Sequence, residues 1–265
     1  MTAARVGATD DFIDFCRGIQ ALCRIDLEQY KRAQMERRIR TFAAGRGIPK
    51  LPEYLKVLRG DRAELEAFLD RITINVSQLW RNPEQWDVLG KHVLPELAKA
   101  GKVRAWSAGC SYGAEAYTLA AVAADAIPGA RIEVRGTDID ERIIAKAKSG
   151  RFSLADARTA PRKALERWFV QEGDEWVAKP ELARGLRFDT GDLLRMRIAP
   201  ASFDLILCRN TVIYFNQEVR DDLHARLVEA LRPGGVLIVG ATERVADAPR
   251  LGLTTTHPFT YRKAA

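Results

Sequence analysis

The sequence changes its hydrophobic periodicity close to Pro95, and this change constrains the fold more than any other feature. Beyond it, short strand-like runs alternate with longer runs that repeat apolar residues at helical spacing. The runs predicted as strands are Val103–Trp106, Ile132–Arg135, Leu186–Asp189, Phe203–Cys208 and Gly235–Val239. Those predicted as helices are Ala114–Ala126, Glu141–Lys148 and Glu218–Leu231. This alternation predicts an α/β fold, with a doubly wound and mostly parallel sheet that carries helices on both faces.

The part of the chain before this change shows helical patterns only. Asp10–Cys23 and Leu27–Ala44 carry apolar residues at helical spacing, and Glu64–Ile72 adds a shorter apolar stripe. We therefore predict a small N-terminal all-helical domain over residues 1–80. An α/β domain over residues 81–265 follows, with a reduced subdomain insertion near residues 151–185. A chain of 265 residues is long enough for both.

The amino-acid composition excludes several classes of protein but does not identify the function. The four cysteines are scattered, which disfavours a zinc cluster or a disulfide scaffold, and we expect no metal. The apolar runs are far shorter than the roughly 20 residues of a membrane helix, and the start of the chain lacks a signal-peptide pattern, so we expect a cytoplasmic protein without membrane insertion. The net charge of +7 predicts an acidic partner, which could be nucleic acid, a membrane surface or a protein.

Doubly wound sheets bind ligands beyond the carboxyl ends of their strands, so the residues that follow each strand are the candidates. After the first strand, Gly109 and Gly113 would let the backbone turn tightly and approach a ligand, although an ordinary turn would look the same. The second strand ends at Asp138, the expected position of an acid that binds ribose hydroxyls, while Asp140 could cap the next helix. The loop has neither the Lys of a triphosphate site nor dinucleotide spacing, which leaves a nucleoside without phosphates, and S-adenosylmethionine is the obvious candidate.

Later segments contain polar residues that could either bind a ligand or have a purely structural role. Asp192 and Leu193 follow the third strand, where they could reach an adenine edge or form a simple turn. Arg209 and Asn210 follow the fourth strand and could be a buried structural pair, and Tyr214 could be a core aromatic residue. Arg232–Gly235 is predicted to form a turn before the last strand. Thr73–Arg81 lies at the junction of the two predicted domains and places polar residues in an apolar stretch, and domain junctions often bind small molecules.

Four ordered segments together resemble the chemoreceptor glutamate methyltransferase (CheR-type) family, and the resemblance extends over nearly the whole chain. They are Asn-Val-Ser-Gln-Leu-Trp-Arg ending at Arg81, the loop from Gly109 to Ala116, Thr-Asp-Ile-Asp ending at Asp140, and Cys-Arg-Asn-Thr-Val-Ile-Tyr-Phe ending at Phe215. The resemblance implies a Rossmann-like class I methyltransferase with a helical N-terminal domain. It also implies an enzyme that transfers the methyl group of S-adenosylmethionine to glutamate side chains of chemoreceptors, releasing S-adenosylhomocysteine.

The same resemblance assigns expected roles to individual residues. Arg81 and Tyr214 are the expected catalytic residues. The basic helix Tyr30–Phe42 is expected to dock the cytoplasmic helices of a chemoreceptor, although a solvated face would look similar. Nucleic acid is not expected as a partner, because interleaved aromatic and basic stripes are absent from the sequence. The residues expected around the cofactor are Asn75, Ser77, Arg81, Gly109, Glu115, Asp138, Asp192, Leu193, Arg209 and Asn210.

Several positions depart from the family pattern, and two alternatives follow from them. Tyr112 replaces Thr, Ala114 and Ala116 replace Glu and Pro, Trp80 replaces Phe, Ser77 replaces Thr, and Ala241-Thr242 replaces His-Ser. The alternatives are a regulatory module that binds S-adenosylmethionine without turnover and a methyltransferase with another acceptor. Family members that bind the C-terminal pentapeptide of a receptor carry a small β-subdomain with a glycine-rich loop. The corresponding stretch, Val170–Leu182, is short and has Gly173 as its single glycine, so the resemblance implies no tether to a receptor pentapeptide here.

Overall fold

The computed structural model describes residues 10–73 and 77–265. The chain divides into two compact units. The first comprises Met1–Ile74 with Tyr214–Val219, and the second comprises Asn75–Ile213 with Arg220–Ala265. The domain boundary drawn at residue 80 from the sequence stays a prediction.

Residues 10–73 of the first unit form the α-helices α1 (Asp11–Cys23), α2 (Arg32–Gly45), α3 (Leu51–Gly60) and α4 (Arg62–Ile72). The unit closes around an aromatic core, in which the rings of Phe15 and Phe68 meet edge to face with centroids 5.7 Å apart. The ring of Tyr54 packs against both, at 6.2 Å from Phe15 and 5.9 Å from Phe68. All three side chains are buried, so the apolar stripes predicted from the sequence do form one core.

The start of the second predicted helix was wrong. Leu27–Gln29 forms a short 3₁₀ turn, and Tyr30 then adopts an extended backbone with φ −94° and ψ 158°. Tyr30 forms an isolated antiparallel bridge with Phe215, and the N–H of Lys31 donates to the carbonyl of Tyr214 at 2.9 Å. These long-range backbone hydrogen bonds replace helical ones, so α2 begins at Arg32, and Tyr30 and Lys31 precede it.

The second unit is built on a seven-stranded sheet with the order β6-β2-β1-β7-β8-β10-β9. The pairs from β6 to β8 are parallel, and β10 pairs antiparallel with β8 and β9. A separate three-stranded sheet has the order β3-β5-β4. The strands are β1 (Lys102–Ala108), β2 (Arg131–Asp138), β3 (Arg151–Ser153), β4 (Phe169–Glu172), β5 (Glu175–Ala178), β6 (Leu186–Thr190), β7 (Phe203–Cys208), β8 (Leu231–Val239), β9 (Leu253–His257) and β10 (Thr260–Lys263). The doubly wound, mostly parallel sheet is confirmed.

Helices connect the parallel strands as the alternating pattern predicted. The helices of this part of the chain are α5 (Pro83–Val88), α6 (Leu94–Leu97), α7 (Ala114–Ala126), α8 (Glu141–Ser149), α9 (Arg162–Trp168), α10 (Pro180–Ala183) and α11 (Gln217–Ala230). All six residues of β7 are buried, as expected of a central strand that is covered on both faces. Among residues 10–73 and 77–265, every helix is too short or too polar to cross a membrane.

The segment Arg232–Gly235 is not the turn predicted from the sequence, because it lies inside β8. Phe203 of β7 pairs with Leu231, but Leu205 pairs with Val236, so the register shifts within the strand. Gly234 takes φ +74°, which lets the extra residues form a bulge while the pairing of the two strands continues.

The strand order reverses between β1 and β7. From β1 the chain continues to β2 on one side, whereas β7 lies on the other side of β1. Such a reversal leaves a crevice beyond the carboxyl ends of the strands, where doubly wound sheets bind their ligands. The loops that follow β1, β2, β6, β7 and β8 therefore define the candidate site.

Candidate functional site

The glycine loop after β1 is shaped by close contacts that exclude side chains. Gly109 has φ +80°, and a Cβ atom there would lie 2.4 Å from Oγ1 of Thr211 in the loop after β7. The N–H groups of Gly109 and Cys110 donate to the carbonyl of Thr137 at 2.9 and 3.0 Å. Only glycine combines this backbone conformation with the lack of a side chain, so the loop can lie directly over the reversal point.

Two acids at the end of β2 take different roles. Asp140 caps α8, since its carboxylate accepts hydrogen bonds from the N–H groups of Arg142 and Ile143 at 3.0 and 3.3 Å. Asp138 instead accepts from the N–H of Ser111 in the glycine loop at 2.8 Å. Burial raises the pKa of the Asp138 carboxyl, and backbone hydrogen bonds oppose that rise. Asp138 therefore joins the end of β2 to the glycine loop.

Arg209 and Glu115 form a buried ion pair beneath the loops. Nη1 of Arg209 lies 3.2 Å from Oε2 of Glu115, and their side chains are 3% and 10% exposed. The other oxygen of Glu115 accepts from the hydroxyl of Ser107 at 2.7 Å. Arg209 also donates to Oε1 of Gln85 at 2.9 Å and stacks over the ring of Trp86 at 5.1 Å. The structural partner of Arg209 is thus Glu115, not the neighbouring Asn210.

Asn210 occupies a strained position that a carboxylate stabilises. Its φ of +58° lies in the left-handed region, and its N–H donates to Oε2 of Glu243 at 2.8 Å. The N–H of Gly240, at the end of β8, donates to the same oxygen at 2.6 Å. Burial raises the pKa of Glu243. Sequence reasoning missed this residue, although an acid shortly after a strand end was the signal that selected Asp138.

The loop after β6 is stabilised by hydrogen bonds from Arg226 in α11. Oδ1 of Asp192 accepts a hydrogen bond from the N–H of Leu194 at 2.8 Å. This contact belongs to the simple turn that the sequence offered as one alternative. Nη1 of Arg226 in α11 donates to the carbonyls of Leu193 and Leu194 at 2.7 and 2.8 Å, and Nη2 donates to that of Met196 at 2.5 Å. No local pattern marks Arg226, because its acceptors lie about thirty residues away in sequence.

The junction segment contacts the glycine loop through Tyr112. The hydroxyl of Tyr112 contacts the carbonyl of Ser77 and donates to Oδ1 of Asp156 at 2.8 Å. Burial raises the pKa of Tyr112. The carbonyl of Arg81 accepts from Nη2 of Arg209 at 2.7 Å, which ties this segment to the ion pair as well. Asn75, the remaining candidate here, lies outside the described residues.

Three buried oxygens around the reversal point have no hydrogen-bond partner among the described residues. They are Oγ of Ser111, Oδ1 of Asn210 and Oε1 of Glu243. Buried polar atoms are normally hydrogen-bonded, so such oxygens mark a place where a ligand supplies the missing groups. Two of them can only accept, which suits hydroxyl or ammonium donors and disfavours phosphate. The residues present therefore fit a nucleoside with an amino-acid portion.

The first unit contains a cationic cleft of about 310 Å³ around Tyr214. It is lined by Tyr30, Lys31, Gln34, Met35, Arg37, Arg38, Thr41, Arg71 and Tyr214. Arg38 is half-buried, its Nη1 donates to the carbonyl of Ile72 at 3.2 Å, and burial lowers its pKa. Arg40, on another face of α2, pairs with Asp11 at 2.6 Å and with Glu36 at 2.8 Å. The basic helix thus divides into residues that line the cleft and residues in local ion pairs.

The sheet order, the glycine loop and the unpartnered oxygens together define a Rossmann-like nucleoside-binding domain of the class I methyltransferase type. Residues 75–256 match the family model described as "CheR methyltransferase, SAM binding domain", and residues 10–73 match "CheR methyltransferase, all-alpha domain". The chain belongs to the CheR methyltransferase family. It is therefore an S-adenosylmethionine-dependent methyltransferase, as the resemblance implied.

Curated relatives match over most of their length. The chain is 35% identical over 255 residues to the chemotaxis protein methyltransferase of Listeria monocytogenes, covering 96% of this chain and 97% of that protein. It is 32% identical to chemotaxis protein methyltransferase 1 of Pseudomonas aeruginosa, with 91% and 93% covered. The Salmonella typhimurium chemotaxis protein methyltransferase is also 32% identical, with 90% and 85% covered.

Proposed function

We propose that this protein transfers the methyl group of S-adenosylmethionine to glutamate side chains in the cytoplasmic helices of a chemoreceptor, forming glutamyl methyl esters. The observation that carries the choice of acceptor is the cationic cleft around Tyr214. Receptor helices that present clustered glutamates carry the opposite charge, which favours their encounter with such a surface. A cytoplasmic location follows from this proposal, because the acceptor helices lie there.

The cofactor would be held by the loops at the carboxyl edge of the sheet. Asp138 would bind the ribose hydroxyls, and the Asp192–Leu193 loop would contact the adenine. Asn210 and Glu115 would meet the amino-acid portion, together with Ser77, Arg81 and Asn75. Within the part of the chain that the structure describes, one side-chain oxygen each of Ser111, Asn210 and Glu243 has no hydrogen-bond partner. These oxygens support the assignment, since a bound ligand would satisfy them.

The reaction needs little proton chemistry from the protein. A glutamate carboxylate has an ordinary pKa near ~4.3, so it is already ionised at neutral pH and requires no general base. When bound, S-adenosylmethionine supplies an electrophilic methyl group on a positively charged sulfur. The transfer neutralises opposite charges, so the protein would accelerate it by aligning the acceptor and by excluding water. We propose that the hydroxyl of Tyr214 and the guanidinium of Arg81 together hold one oxygen of the acceptor carboxylate, while its other oxygen attacks the methyl group.

The test uses the chemical stability of the product. The purified chain is incubated with S-adenosylmethionine labelled in the methyl group and with membranes that contain chemoreceptors. The proposal expects label on the receptor that alkali releases, because methyl esters hydrolyse in base. Label that resists alkali would contradict the proposal in favour of another acceptor. Cofactor binding without label transfer would favour the regulatory module.

A charge-reversal pair tests the role of the cleft. Arg37 lines the cleft, whereas Arg62 lies elsewhere in the same unit with a side chain that is 92% exposed. Arg37→Glu should lower kcat/KM for the receptor by about tenfold, because a like charge then faces the acidic helices. Arg62→Glu, the matched control, should stay within about twofold, because an exposed ion pair contributes little. Equal effects of the two variants would show that net charge, not the cleft, governs docking.

A further inference from the structure

The acidic side chains at the carboxyl edge of the sheet differ in what they contact. Glu115 is neutralised by Arg209. Asp138 joins the end of β2 to the glycine loop through the N–H of Ser111. Glu243 is 4% exposed, and one of its oxygens accepts two backbone hydrogen bonds while the other has no partner among the described residues. Glu243 therefore has a role that neither the ion pair nor the expected ribose contact accounts for.

The contacts of Glu243 join the ends of two neighbouring strands. Asn210 follows β7 and Gly240 follows β8, and the N–H groups of both donate to Oε2 of Glu243. A Cβ atom at position 240 would lie 2.5 Å from that oxygen and 2.9 Å from the backbone nitrogen of Asn210. Residue 240 must therefore be glycine for the carboxylate to reach both N–H groups.

This bridge stabilises an unfavourable backbone conformation. A residue other than glycine in the left-handed region costs on the order of 1–3 kcal/mol and persists where the surroundings over-determine it. Asn210 is such a residue, and its N–H is the donor that Glu243 accepts. The conformation leaves the side-chain oxygen of Asn210 buried, and residues 10–73 and 77–265 supply no hydrogen-bond partner for it. Strain and an unsatisfied acceptor coincide at one residue.

We propose that Glu243 is a positioning residue for cofactor binding, because it holds Asn210 in the left-handed conformation that presents the amide oxygen of Asn210 to the cofactor. This inference rests on the proposed function. Glu243 acts through the hydrogen bond that its carboxylate accepts from the N–H of Asn210. Its effect on cofactor affinity is therefore transmitted by the Asn210 side chain.

The test is a double-mutant cycle on cofactor affinity. Calorimetry measures the Kd of S-adenosylhomocysteine and S-adenosylmethionine for the full-length chain and its variants. Asn210→Gly keeps access to the left-handed backbone and removes the amide, and Kd should rise by about fivefold to tenfold, as expected for one hydrogen bond. Glu243→Asp shortens the side chain and Glu243→Ala removes the carboxylate, and each should raise Kd by a similar factor. Glu243→Gln keeps an oxygen that accepts both N–H groups, so its Kd should stay within about threefold of wild type.

The decisive comparison is made in the Asn210→Gly background. There, Glu243→Asp should raise Kd by less than about twofold, because the side chain that it positions has gone. If the two effects multiply instead, Glu243 acts independently of Asn210 and the inference is wrong. Glu243→Asp also provides the comparison if Glu243→Ala fails to fold. Glu229→Asp in α11, at an exposed position, is the matched control and should leave Kd unchanged.

The double-mutant cycle tests the role of Glu243 independently of which acceptor the protein methylates. If wild-type protein binds the cofactor but methylates no receptor, the proposed function fails while the cycle still reports on Glu243. If methylation succeeds and the cycle is additive, only the positioning role fails.

Discussion

Removal of Arg209 should strongly destabilise the second unit. Its side chain is 3% exposed, and it pairs with a Glu115 side chain that is 10% exposed. In Arg209→Met, the charge of Glu115 stays buried without its partner, and the acceptors on Gln85 and Arg81 lose their donors. Breaking a buried pair from one side costs about 3–5 kcal/mol. That loss is a large part of the roughly 5–15 kcal/mol that stabilises a typical domain.

Tryptophan fluorescence during urea denaturation measures this loss in the relevant unit. All five tryptophans of the sequence lie in the second unit, so their emission reports on its unfolding. Arg131→Met is the matched control, because Arg131 pairs with Glu133 at the surface and its side chain is 73% exposed. The control should change the free energy of unfolding by less than about 1 kcal/mol.

A double variant separates the ion pair from general packing. Arg209→Met combined with Glu115→Leu leaves no unpaired charge, so it should recover part of the stability lost by Arg209→Met alone. If Arg209→Met destabilises the protein no more than Arg131→Met does, the buried ion pair does not stabilise the second unit. If the losses of Arg209→Met and Glu115→Leu simply add in the double variant, the two side chains contribute independently and not as a pair.

Four further predictions concern Tyr214, the loop after β6, His224 and the receptor pentapeptide. Tyr214→Phe should slow single-turnover methylation by about tenfold or more, as expected for a lost hydrogen bond to a charged group, and an unchanged rate would exclude the role proposed for the hydroxyl. Arg226→Met should raise the Kd of the cofactor by about tenfold in calorimetry, because three carbonyls of the loop after β6 lose their donor; an unaltered Kd would mean that the loop holds its shape without Arg226. Burial lowers the pKa of His224 to about 4, so the unfolded chain binds a proton near pH 6.5 before the folded one does, and stability should fall by at most roughly 1.4 kcal/mol per pH unit as the pH drops from 6.5 towards 4. His224→Leu should flatten that dependence in urea titrations at pH 7 and pH 5, and parallel curves for both proteins would contradict this origin. A receptor C-terminal pentapeptide should show no micromolar affinity in a binding titration.

Secondary-structure features that depend only on residues close together in the sequence could be predicted from it. The buried run Phe203–Cys208 and the helical stripe of Asp10–Cys23 recur as β7 and α1, because burial of one face imposes a period that each segment carries by itself. The cap at Asp140 follows from local hydrogen-bonding chemistry in the same way. By contrast, the bulge in β8 and the extended backbone at Tyr30 depend on pairing with distant strands and loops, so the local pattern was misleading there.

The sequence by itself determined the class of fold, the family and the loops where the site lies, since periodicity, turn residues and ordered motifs are local properties. The tertiary structure alone decided which side chains meet at that site. Arg209 pairs with Glu115 across 94 positions, and Glu243 reaches Asn210 across 33. These partners are selected by the order of the strands in the sheet, because that order brings the ends of β1, β7 and β8 side by side. Hydrogen bonds between such ends depend on distances in space that no spacing along the chain encodes.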